Sequence, residues 1–145
     1  MYQREYEDIW RSPNKCVNDD IAFAPRRGCI NIFDFDGIEV INSTVEGLLI
    51  GGHYNCNTGA VTFNMHIRGV GAISRYCVGG TRHGDVGRYH QHSIRKDEDI
   101  RRHLPHAVRR DDLRGLTARR VWETLCTEAC ITHVGTLFDP EEMCK

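Results

Sequence analysis

Residues 82–95 read RHGDVGRYHQHSIR, three imidazoles and three guanidinium groups within fourteen positions. If 87–94 is extended, side chains alternate between faces, and Arg88, His90 and His92 fall on the same one. A His-x-His pair on a strand can hold one metal ion when a third ligand arrives from elsewhere. His66, on the polar face of an earlier strand, is the natural third ligand, with Asp85 as another choice. His66, His90 and His92 therefore form a candidate zinc or manganese site. With an open coordination position, such a site activates water for hydrolysis. Without metal, His90 and His92 would serve as acid and base in RNA cleavage, with Arg88 and Arg95 holding phosphate. The spacing alone is a weak mark in a chain with eight histidines. Surface and hydrogen-bonding histidines are the ordinary reading.

A second candidate lies in CINIFDFDGIEVINS, residues 29–43. IFDFDG resembles motif I of the haloacid dehalogenase superfamily, in which a buried parallel strand ends in Asp-x-Asp-Gly. The resemblance implies Asp34 as nucleophile and Asp36 as general acid/base beside Mg²⁺ in a phosphatase. It covers about a dozen residues. Ile38 stands where that family usually has Thr or Val, and residues 44–80 are Gly-rich and alternating, without the helices a doubly wound sheet needs. Asp-Gly between two alternating runs is also a strong hairpin signal. A two-residue turn at Asp36-Gly37 would set Phe35 opposite Ile38, Asp34 opposite Glu39 and Phe33 opposite Val40. The hairpin is the preferred reading, although like charges at Asp34 and Glu39 are mildly unfavourable across a strand pair.

The seven cysteines (16, 29, 56, 77, 126, 130 and 144) include no Cys-x-x-Cys pair. With an odd number and no secretory leader, they are expected to be reduced thiols in the cytoplasm, mostly small buried hydrophobes. Cys126 and Cys130 share an apolar helical stripe and read as packing residues. No P-loop, dinucleotide fingerprint or nucleophile elbow is present.

The elements that must carry these groups are legible from periodicity. Tyr2, Tyr6, Ile9 and Trp10 suggest a short amphipathic helix over 2–10, ended by Ser12-Pro13-Asn14. Residues 21–24 are strand-like and are followed by a PRRG turn at 25–28. From 29 to 78 the pattern has period two, and eleven of the 14 glycines fall between 37 and 87. In AVTFNMHIR, Val61, Phe63, Met65 and Ile67 share an apolar face, while Thr62, Asn64, His66 and Arg68 share a polar one. Residues 72–78 form a further strand closed by Gly79-Gly80, and 87–94 another. KDEDIRRHL, 96–104, has acids first and bases last, as a short helix favours. A longer helix starts at a Thr117 N-cap flanked by Leu116 and Val121, with a stripe of Val121, Trp122, Leu125, Cys126 and Ala129.

The expected fold is thus one α+β domain over 1–145. It is an antiparallel β meander with a C-terminal helix packed on one face and a short N-terminal helix. Exposed strand edges favour a homodimer. Charge is unevenly spread: residues 82–120 carry 11 basic and 6 acidic side chains, a net +5. This basic segment is the candidate surface for RNA or a protein partner. No apolar run is long enough to span a membrane, so the expected place is the cytoplasm. The order of meander, His-rich basic segment and closing helix is similar to small TumE-type toxins of bacterial toxin–antitoxin pairs. That resemblance spans residues 44–130, matches positions His83, His90 and His92, and lacks the family's consecutive His-His pair. It implies a histidine-dependent ribonuclease-like activity. A binding or interaction module with no catalysis and no obligatory cofactor is the favoured expectation.

Overall fold

The computed structural model describes residues 1–100 and 103–144. Its centre is a seven-stranded, wholly antiparallel sheet whose strands lie side by side in chain order. The expected α+β meander is therefore present. A helix, α1 (Gln3–Arg11), precedes two short strands, β1 (Lys15–Val17) and β2 (Ile21–Ala22). The sheet follows as β3 (Ala24–Pro25), β4 (Ile32–Glu39), β5 (Leu48–Asn55), β6 (Val61–Ile67), β7 (Gly71–His83), β8 (Gly87–Ser93) and β9 (Ala107–Arg109). Helix α2 (Ala118–Glu128) and strands β10 (Ile131–His133) and β11 (Leu137–Phe138) complete the chain. The last two strands pair in parallel with β1 and β2, tying the C-terminal region to the N-terminal one. Among the described residues no helix is long and apolar enough to cross a membrane.

Both helices cover the same face of the sheet. Val61, Phe63, Met65 and Ile67 of β6 are buried there, alternating with half-exposed Thr62, Asn64 and His66. Across the register, Tyr54, Val78 and Tyr76 join the buried side. The Trp10 ring from α1 stacks on Tyr76 with centroids 6.3 Å apart, and Trp122 from α2 lies 5.6 Å from Phe63. Helix α2 starts as its sequence indicates: the Thr117 hydroxyl accepts a hydrogen bond from the Arg120 backbone N–H at 3.2 Å. Tyr76, Glu128, Arg110 and Gln91 form a polar network under this helix. In it, Tyr76 donates to Glu128, and Arg110 donates to both Gln91 and Glu128.

Lys15 fastens the end of α1. Its side chain is fully buried, and the ammonium donates to the carbonyl oxygens of Ile9 (2.8 Å), Trp10 (3.0 Å) and Ser12. The last carbonyls of a helix have no internal partners, and a cation there also complements the helix dipole.

Three expectations are corrected. First, Asp36-Gly37 is not a hairpin turn. Residues 32–39 form one strand, and the register on β5 moves from Phe35↔Gly52 to Ile38↔Ile50, so Asp36 and Gly37 together oppose Gly51. This is a β-bulge, and Gly37 at φ +70° supplies its left-handed residue. Asp34 accordingly faces His53, and Glu39 faces Leu49. Second, β7 runs on through Gly79-Gly80 to His83, with a register shift after Val78. Third, the described part of 96–104 is not helical. Its acids serve α1 instead: Asp97 accepts from the Gln3 N–H at 3.0 Å, and the Glu98 carbonyl receives the chain's amino terminus. The backbone of Ile100 presses so closely on Gly71 that a Cβ there would lie 2.4 Å from the Ile100 oxygen.

One further expectation fails at the thiols. Cys56 and Cys144 are disulfide-bonded, with Cα atoms 5.5 Å apart, and only five cysteines are free. The bond pins the C-terminal segment to the β5–β6 turn across 88 positions, a pairing that spacing alone does not reveal.

Replacing Lys15 with methionine removes the three bonds at the α1 terminus and leaves buried carbonyls unpaired. An urea titration of Lys15→Met is expected to show a loss of about 3 kcal/mol in unfolding free energy. A loss below about 0.5 kcal/mol would show that the cap is not needed.

Candidate functional site

The face of the sheet opposite the helices is open, and the register aligns its polar side chains in rows. One row crosses six strands: Asp34, His53, Thr62, Cys77, His90 and Arg109 are successive cross-strand partners. The next runs Gly51, Asn64, Arg75, His92 and Ala107. Alternation explains this, since the neighbours of each member in its own strand, such as Tyr76 and Gln91, point to the helix side. A cavity of about 930 Å³ lies over the rows. Its lining includes Arg26, Arg75, Arg82 and Arg88 together with His53, His83, His90 and His92, and contains no carboxylate.

At one end of the cavity the ligating atoms of Cys77, His90 and His92 all lie within 4.8 Å of one another. The ring centroids of His90 and His92 are 5.0 Å apart. His83 joins them at 5.2 and 5.0 Å, because the register shift near Gly79 and the Gly84–Val86 turn fold the end of β7 back over β8. Each buried imidazole is fixed through Nδ1, His90 to the Gly87 carbonyl at 3.0 Å and His92 to the Leu104 carbonyl at 2.7 Å. A carbonyl can only accept, so both Nδ1 atoms carry the proton and both Nε2 lone pairs are free.

Burial sets the charge states. His92 is pushed down to about 4, chiefly by desolvation, with the His90, Arg75 and His83 charges adding to it and the Leu104 bond opposing it. His90 is lowered for the same leading reason. Desolvation also raises the Cys77 thiol to about 11, so in the absence of a cation it stays protonated near neutrality. His53 is likewise lowered by burial and by Arg26.

Of the residues singled out from the sequence, His90, His92 and Arg88 come together at this cavity, with His83 beside them. His66 does not: it lies on the same face outside the cavity lining, with Nε2 4.0 Å from Asp36 Oδ1. Asp85 is exposed in the Gly84–Val86 turn and takes no part in the ligand cluster. Arg95 is also displaced, its charge acting on Tyr6 beside α1. Cys77 and Arg75 are the site residues that the histidine spacing missed. The signal was present in ISRYCV, where Arg75 and Cys77 sit two apart around the core residue Tyr76.

The other candidate carboxylates are occupied structurally. Asp34 accepts from Arg26 Nε at 2.7 Å, and Asp36 accepts the N–H of Gly37 at 2.8 Å within the bulge. Both lie in an antiparallel strand. Within 82–120, Arg109 and Arg110 pair with Asp111 and Asp112, and Arg110 and Arg120 also pair with Glu128 and Glu123, the last two acids lying outside the segment. None of the ion pairs found among the described residues involves Arg75, Arg82 or Arg88.

No protein-family model, curated protein or solved structure matches the chain.

The shift at His92 predicts a pH dependence of stability. Its folded value of about 4 lies below the ordinary 6.5, so between those values the unfolded chain holds more protons. Stability is then complete above pH 6.5 and falls as pH drops toward 4, by on the order of 1–3 kcal/mol. Urea midpoints measured from pH 7 to pH 4 with a chelator present should fall. They should fall less steeply in His92→Asn, whose amide can still donate to the Leu104 carbonyl.

Proposed function

We propose that the protein is a binding module for a phosphate-bearing ligand of about nucleotide size, held in the cavity on the open face. The observation that carries this reading is the lining: four arginines and four histidines with no carboxylate among them. Guanidinium groups match the planar, multidentate geometry of phosphate oxygens; Arg26 is paired with Asp34, and the charges of Arg75, Arg82 and Arg88 are left for a ligand. The volume falls in the range of small-molecule sites. Asn55, Thr58, Thr62 and Asn64 supply neutral hydrogen-bonding groups along the same wall. Binding is favoured over acid–base cleavage of RNA because burial lowers both His90 and His92. Burial thus works against the imidazolium form that a general acid requires. The same feature supports the reading over a carboxylate-based phosphatase, since Asp34 is paired with Arg26 and Asp36 closes its own bulge.

Calorimetric titration with a mononucleotide 5′-phosphate and with the matching nucleoside tests the proposal. The nucleotide is expected to bind and the nucleoside to bind at least tenfold more weakly. Arg75→Ala and Arg88→Ala should each weaken the nucleotide by about tenfold to a hundredfold, the worth of a charge-assisted hydrogen bond. Equal affinity for both compounds, or no effect of either substitution, would overturn the reading. Turnover of the bound nucleotide would replace it with the hydrolase reading.

A further inference from the structure

We infer that Cys77, His90 and His92 bind a single zinc ion, through one thiolate sulfur and two imidazole Nε2 atoms. Three observations converge. The three ligating atoms already lie within 4.8 Å of one another on adjacent strands β7 and β8. Zinc–nitrogen and zinc–sulfur bonds of about 2.0–2.3 Å place tetrahedral ligands about 3.3–3.8 Å apart, so closure needs only a small side-chain movement. Cys77 and His90 are direct cross-strand partners and His92 is two residues further along, so the three converge from a rigid pair of strands.

Second, both imidazoles already have the outer partners that metal-ligating histidines use. Each Nδ1–H is donated to a backbone carbonyl, Gly87 for His90 and Leu104 for His92, which leaves the Nε2 lone pair of each ring free to ligate. Third, the donor set is one soft sulfur and two nitrogens with no carboxylate. That composition suits zinc and disfavours manganese, which prefers oxygen ligands. It also replaces the His66, His90, His92 set expected from spacing with one that substitutes Cys77 for His66. The three residues all line the cavity, so the remaining coordination position faces it. On binding, the Cys77 S–H bond breaks, the sulfur pair bonds to zinc, and the proton is released to buffer.

This inference stands apart from the anion reading, because metal binding is read with no phosphate-bearing ligand present. Metal-free protein, with its disulfide intact, is titrated with cobalt(II) and then with zinc(II). One equivalent of cobalt is expected, giving the visible bands of a tetrahedral ion and a near-ultraviolet thiolate-to-cobalt band, and zinc should displace it. Cys77→Ser, nearly isosteric, should lose the thiolate band, and His90→Ala and His92→Ala should each lose the stoichiometric site. His66→Ala should keep it. Circular dichroism confirms folding of each variant, and zinc should raise the thermal midpoint of the parent protein but not of the folded Cys77→Ser protein. Absence of a stoichiometric site in the parent protein would overturn the inference. So would a thiolate band that survives Cys77→Ser and is instead lost in a Cys29→Ser/Cys130→Ser protein, since those two free thiols are exposed.

Discussion

A β-strand must send alternate side chains to opposite faces, and here only one face has anything to pack against. The two helices lie on the same side of the sheet, where Phe63, Met65 and Tyr76 are completely buried. Every second residue of the same strands therefore lies on the opposite face. The side chains at those positions are Thr62, Asn64, Arg75, Cys77, His90 and His92, and the cross-strand register brings them into two rows. The apolar pattern of the helix side thus fixes the location of the polar site. A slip of one residue in β8 would move Gln91 into the cavity and turn both histidines onto the core.

The molecule also divides its arginines between the two faces. Arg110 is spent on the helix side, where it bridges Gln91, Asp112 and Glu128 and stacks over the Tyr76 ring at 5.3 Å. A buried guanidinium is tolerable only because several acceptors satisfy it. Arg75, Arg82 and Arg88 lie toward the open face without a carboxylate beside them among the ion pairs found. A segment that reads as uniformly basic in sequence is therefore heterogeneous in space. Arg109, Arg110 and Arg120 are paired with acids, whereas Arg82 and Arg88 line the cavity.

What the sequence made legible follows from local physics. The faces of β6, the Thr117 cap and the stripe on α2 depend on neighbours within one turn or one strand, and they appear as read, except that the helix stops at Glu128 and Cys130, expected on the stripe, lies exposed beyond it. The pairing of His90 with His92 was legible for the same reason, since a two-residue spacing on a strand needs no tertiary information. Long-range register was not. Cys77 becomes the partner of His90 only once the turn at 79–86 and the shift after Val78 set the pairing of β7 and β8. His66 shares the polar face of β6, yet it lies toward the far end of that strand, beside Asp36. The Asp-Gly pair misled because a left-handed glycine serves a bulge as well as a hairpin turn, and only the length of the pairing on β5 distinguishes them. The parallel pairs of β10 and β11 join the two ends of the chain, and the Cys56–Cys144 bond ties the C-terminal segment to the β5–β6 turn, all beyond the reach of any periodicity.

The segment after β8 shows why a locally favourable helix signal can yield to tertiary structure. Its charges run in the order a helix dipole prefers, but its groups make more valuable contacts when extended. Asp97 satisfies a free N–H at the start of α1, the Glu98 carbonyl holds the amino terminus, and Ile100 lies on Gly71 at the sheet. Leu104 is buried, and its carbonyl accepts the Nδ1 proton of His92. The segment after β8 thus contacts the N-terminal helix through Asp97 and Glu98, and the His92 imidazole through Leu104.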